Sequence, residues 1–81
     1  MATKTVTTPN TPVALKTTTA ITKVTVQAFK GNTGYIYVGD DTNQYFKLNP
    51  LNAITLTVDD LAKVFIDADV AGEGANFTYE S

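Results

Sequence analysis

Two carboxylate doublets, Asp40-Asp41 and Asp59-Asp60, are the residues of this chain with the strongest claim to chemistry. Two acids held across a glycosidic bond can divide its cleavage between a proton donor and a base or nucleophile. Adjacent side chains in a strand or turn diverge, however, so neither doublet aims both oxygens at one bond. Turn and helix-cap duty accounts for both pairs. A second candidate is a cation loop, since Asp41 and Asn43 have the spacing of the first two ligands of an oxygen-rich calcium loop. The match ends there: the sixth position is Phe46 where glycine is needed, and the twelfth is Asn52 where glutamate is needed. Asp67, Asp69 and Glu73 form a further acidic group, read as a solvated loop and not as a metal site.

The residue types that are missing narrow the chemistry further. The chain has no histidine, cysteine, tryptophan or arginine, and its one serine is Ser81. The usual neutral-pH base, the thiol nucleophile, the commonest metal ligand and the planar guanidinium clamp are all absent. Gly31 and Gly34 lack the spacing and the lysine of a phosphate cradle. The tripeptide Asn76-Phe77-Thr78 fits a glycosylation acceptor, but no secretory signal accompanies it. A non-enzymatic protein without cofactor or metal is the expectation.

With 81 residues the chain makes one domain, and a domain of this size buries only about 60% of its unfolded surface. Without cysteine or histidine, neither disulfide nor structural zinc can supplement that core, so self-association is the expected source of additional buried area. No apolar run is long enough to span a bilayer and no hydrophobic signal region opens the chain. A soluble protein with no membrane partner is expected. The net charge of −2 is unevenly distributed: residues 1–30 carry four lysines and no acid, while the remainder carries two lysines and all eight acids. An acidic protein without arginine is a poor nucleic-acid binder, so no nucleic-acid partner is expected. Its basic first third suits docking on an acidic surface.

The alternation of apolar and polar residues organises the rest. Residues 22–29 place Val24, Val26 and Ala28 on one face, and a Gly-rich loop then leads to Ile36 and Val38. Further strands are expected at residues 12–16, 44–48, 52–58, 63–67 and 76–80, with Phe46 and Leu48 inward on the second of these runs and a helical turn near Asp59. The expected fold is all-β: a compact antiparallel β-sandwich, jelly-roll-like, or a small barrel of about seven short strands. Residues 12–81 form this domain. Residues 1–11, rich in threonine and proline, read as an extended or flexible N-terminal arm, with Lys4, Val6, Pro9, Pro12 and Lys16 as its contact residues. Strand parity also sends Tyr35, Tyr37, Tyr45 and Phe65 to the face opposite the core, where clustered aromatic rings mark a contact surface, here an oligomer interface.

Several of these segments together resemble small tailed-bacteriophage virion proteins of the capsid decoration or cement type. The resemblance lies in Val24-Thr25-Val26-Gln27-Ala28, in Asn32-Thr33-Gly34-Tyr35-Ile36-Tyr37-Val38-Gly39, and in Ile54-Thr55-Leu56-Thr57-Val58-Asp59-Asp60-Leu61. It continues in Lys63-Val64-Phe65-Ile66-Asp67 and Gly72-Glu73-Gly74. Such a resemblance implies a β-fold on the capsid exterior of a virion, after synthesis in the host cytoplasm. It implies the major capsid protein as partner, a homo-oligomer with a trimer favoured, and a role in stabilising capsomer junctions. The threonine-rich extension before Pro12 departs from the pattern. The alternative reading is a carbohydrate-binding or receptor-binding fibre or tail module, with Tyr35, Tyr37 and Tyr45 as stacking platforms and Asp40, Asp41, Asn43 and Gln44 as hydrogen-bonding groups.

Overall fold

The structure, a computed structural model, describes residues 2–44 and 46–81. Eight strands run in the order β1 (Ala2–Thr5), β2 (Val13–Ala14), β3 (Lys23–Ala28), β4 (Ile36–Gly39), β5 (Phe46–Leu48), β6 (Ala53–Leu56), β7 (Phe65–Ala68) and β8 (Gly74–Glu80). A 3-10 turn, Leu61–Lys63, precedes β7 and is the one helical element among the described residues. One sheet has the order β1-β8-β3-β6 and the other β2-β7-β4-β5, with every pairing antiparallel.

The pairings β1 with β8, β2 with β7, β3 with β6 and β4 with β5 are nested, as in an antiparallel ribbon folded at the β4–β5 turn and then rolled up. That wrapping is the jelly roll, two four-stranded sheets face to face. Alternation decides which side chains meet between them. Val24, Val26, Ala28, Ala75 and Phe77 project inward from the first sheet, and Ile36, Val38, Ile66 and Ala68 from the second, all buried. Leu61, fully buried on the 3-10 turn, closes one end. Asp60 caps this turn and ties it to a distant loop, its carboxylate accepting from the N–H groups of Ala62 at 2.9 Å and Thr19 at 2.8 Å.

The leading segment departs from the sequence expectation. The backbone is extended as expected, but it is not a separate arm: Ala2–Thr5 forms the edge strand β1 on β8, with Ala2 opposite Phe77 and Lys4 opposite Ala75. Val6 is completely buried in the core, and its N–H donates to the Glu73 carbonyl at 2.8 Å. β1 thus adds one strand to the seven expected and completes the two four-stranded sheets. Pro9 and Pro12 are half-buried, and the Lys16 ammonium lies 5.8 Å from the centre of the Tyr79 ring. The segment is seated on the chain's own sheet, because one apolar side chain at position 6 and a threonine-rich extended run suffice for an edge strand. Gly74 accommodates the approach, since a Cβ there would run into the backbone of Lys4 and Thr5.

Phe46 also departs from expectation. It shares the face of the buried Leu48 but is 46% exposed. It begins the three-residue edge strand β5, which has a sheet neighbour on only one side.

Candidate interaction face

The outer face of the second sheet carries three aromatic side chains, Tyr35, Tyr37 and Phe65. β7 and β4 are its two central strands, and their outward positions carry Phe65, Asp67, Tyr37 and the neighbouring Tyr35. Tyr37 lies opposite Asp67 on β7 and Lys47 on β5, and Phe65 lies opposite Gly39, one diagonal step from Tyr37. The Tyr35 and Tyr37 rings sit 6.5 Å apart in a tilted arrangement. Tyr35 is exposed, while Tyr37 and Phe65 are half-buried. Strand parity therefore places Tyr35, Tyr37 and Phe65 on one face. Tyr45, the fourth residue expected there, lies outside the described residues.

Polar neighbours hold these rings in place. The Tyr37 hydroxyl donates to the Asp69 carboxylate at 3.0 Å and 3.1 Å, and the Tyr35 N–H donates to the same carboxylate at 3.3 Å. The hydrogen bond to Asp69, reinforced by partial desolvation and by the Asp69 charge, lifts the Tyr37 phenol above its ordinary pKa. The Lys47 ammonium lies 4.4 Å from the centre of the Tyr35 ring, within cation–π range. A fixed aromatic pair with a charged rim is thus built from three strands and the Asp69 loop.

The other candidate groups have local structural duties. Asp40 folds its own turn, its carboxylate accepting from the Thr42 and Asn43 N–H groups at 2.9 Å and 2.8 Å, and the Asn43 bond leads in lowering its pKa. The Gln44 side chain donates to the Asp40 carbonyl at 2.7 Å. Of the four polar groups expected in a carbohydrate site, Asp40, Asp41, Asn43 and Gln44, three have side chains engaged within their own loop: Asp40 and Gln44 as above, and Asp41, which accepts from the Thr42 hydroxyl at 3.2 Å. Asp40, Asp41, Lys63 and Phe65 line a shallow depression at the end of the face.

Asp67 accepts from the Asn10 N–H at 3.0 Å and the Ala68 N–H at 2.8 Å. Glu73 accepts from the Thr33 N–H at 2.7 Å, the Thr33 hydroxyl at 2.9 Å and the Gly34 N–H at 3.0 Å. The Gly34 and Thr33 N–H groups hold its carboxyl below the usual range. Among the described residues no three acids converge on a common point.

The sequence did not single out Glu73 as a clamp or Asn32 as a core residue. Asn32 is buried, its amide donating to the Gly74 carbonyl at 2.8 Å and accepting from the Gly74 N–H at 3.4 Å. Both side chains join loops about 40 positions apart, and the only local signal is a polar residue set among glycines.

Comparisons of the chain with family models, with curated proteins and with solved structures return no match.

Proposed function

We propose that this protein is a non-enzymatic structural component of a phage virion, a decoration or cement protein that assembles through the face of Tyr35, Tyr37 and Phe65 and binds the outside of a shell of major capsid protein. The observation that carries this reading is the position of the rings. Tyr37 and Phe65 lie on the two central strands of the sheet, β4 and β7, and Tyr35 directly precedes β4, so the three rings cluster over the middle of the strand order and not on its edge strands. Supporting it are the eight-stranded jelly roll, an architecture shared by capsid and lectin domains, and the phage-like segments of the sequence. Such a protein acts by multiplicity: many individually weak copies, each spanning a joint, add up to a strong clamp. With Val6 in the core, shell contact falls to exposed surface and not to a free leading arm.

The test is the mass of the purified protein in solution, compared with the mass after Tyr37→Ser. A multimer that dissociates in the variant supports the aromatic face as the assembly surface; equal masses reject it. Location is read separately, with antibody to the folded chain applied to intact particles whose genome encodes it. Labelling over the head supports the decoration role, and labelling confined to tails or fibres rejects it.

A further inference from the structure

The four edge strands of the sandwich are not protected equally. β1 carries Lys4 at a position facing inward beside Ala75. β2 has two residues and follows Pro12, while β5 has three residues, includes Lys47 and is followed by Asn49-Pro50. Short length, lysine and proline are the usual devices that stop an open edge from pairing with another chain. β6 has none of them: Ala53–Leu56 and its continuation through Thr57 and Val58 contain neither charge nor proline.

The register fixes which backbone groups β6 leaves open. The Ala28 N–H donates to the Asn52 carbonyl at 3.0 Å, and the aligned pairs Val26–Ile54 and Val24–Leu56 follow at the two-residue period. Ile54 and Leu56 therefore turn their backbone groups toward β3, and Ala53 and Thr55 turn theirs away from the sheet, with Thr57, just past the end of the strand, next at the same two-residue period. This open row is self-complementary. An antiparallel second copy centred on Thr55 pairs Thr55 with Thr55 and Ala53 with Thr57, each pair exchanging two hydrogen bonds. The same register sets Ile54 beside the second copy's Leu56, covering side chains left half-buried in one chain. It also extends the threonine pairing already present across β3 and β6, where the Thr25 and Thr55 hydroxyls are 2.9 Å apart.

We infer that β6 is a two-fold docking edge for a second copy of this chain, joining the first sheets of two molecules into one continuous sheet through Thr55. This contact is separate from the aromatic face, which lies on the other sheet.

A single introduced thiol tests the register, because the chain has no cysteine of its own. Directly opposed hydrogen-bonded residues stand about 5.5 Å apart at Cα, within the span of a disulfide. Mild oxidation of Thr55→Cys should give a disulfide-linked dimer at least about tenfold faster than oxidation of Thr57→Cys, whose thiol faces Ala53. Equal rates at the two positions would overturn the proposal. In parallel, Thr55→Pro removes an N–H that makes no bond within the monomer, and should weaken the concentration-dependent rise in solution mass by about tenfold or more with the circular dichroism unchanged. An unchanged mass profile in a folded Thr55→Pro variant would also overturn it, as would a wild-type mass that never rises with concentration. Should the proline variant fail to fold, the cysteine comparison decides. Adding Tyr37→Ser to Thr55→Cys distinguishes the two surfaces, since cross-linking through β6 should survive loss of the aromatic contact.

Discussion

Replacing Val6 by alanine tests whether the first six residues belong to the folded domain. The side chain is fully buried, so the substitution removes two methyl groups from the core. At about 0.8 kcal/mol for each buried carbon, with some addition for the space left behind, the loss is about 2 kcal/mol. A domain of 81 residues has a total stability of roughly 4–12 kcal/mol, so the loss is a large fraction of it. With an unfolding entropy of about 2.1 cal/mol/K per residue, the melting temperature should fall by about 12 °C. Thermal unfolding followed by circular dichroism reads this directly, with protein concentration held constant so that assembly does not shift the midpoint. Thr5→Ala is the control: the side chain is exposed on the preceding residue, the last of β1, and its loss should change stability by less than about 0.5 kcal/mol. If Val6→Ala melts within about 2 °C of wild type, β1 is not seated on β8 and the closing strand of the jelly roll is misplaced.

Three further outcomes are expected. Asn32→Ala should cost about 1–3 kcal/mol in urea unfolding, because the Gly74 backbone loses its buried amide partner. Acid should destabilise the fold: Glu73, Asp60 and Asp40 have pKa values lowered by backbone N–H donors, so their contribution is present above the ordinary carboxylate range and is lost as pH falls through the lower folded values. Melting temperatures should hold between about pH 7 and 5.5 and then fall below about pH 4.5, with a shallower fall in Glu73→Gln. Tyr37→Phe should remove the component of an ultraviolet tyrosine titration that ionises above the ordinary phenol range, since Asp69 holds that proton.

The strands that could be read from the sequence are those whose apolar residues alternate over several positions. Val24, Val26 and Ala28 fixed the face of β3, and Val64 and Ile66 indicated the inward side of the run containing β7. β1 was hidden because its inward residues are Ala2 and Lys4, and the one large apolar group that anchors it, Val6, lies just past its end. Phe46 shows the converse limit: parity predicts the side of a sheet toward which a residue points, but not whether anything covers it there. The outward placement of Tyr35, Tyr37 and Phe65 followed from parity alone. The links from Glu73 to Thr33 and from Asn32 to Gly74 did not, because they depend on nested pairing that brings together loops far apart in sequence.

The side chains that hold the fold together are largely distinct from those of the two surfaces proposed for assembly. Inward residues of the two sheets form one apolar cluster, while Tyr35, Tyr37 and Phe65 lie outside it and β6 presents an open backbone row. The separation has one leak, at Asp69, which holds both the Tyr37 hydroxyl and the Tyr35 N–H. Tyr37→Ser removes a ring and a hydrogen bond together, whereas Tyr37→Phe removes the bond and keeps the ring. If ring contact drives assembly, the phenylalanine variant should remain assembled while the serine variant dissociates, with both retaining the sandwich. Dissociation of both variants would assign the effect to the Asp69 loop and not to aromatic packing, and the face would then act by holding a loop in position for contact made elsewhere.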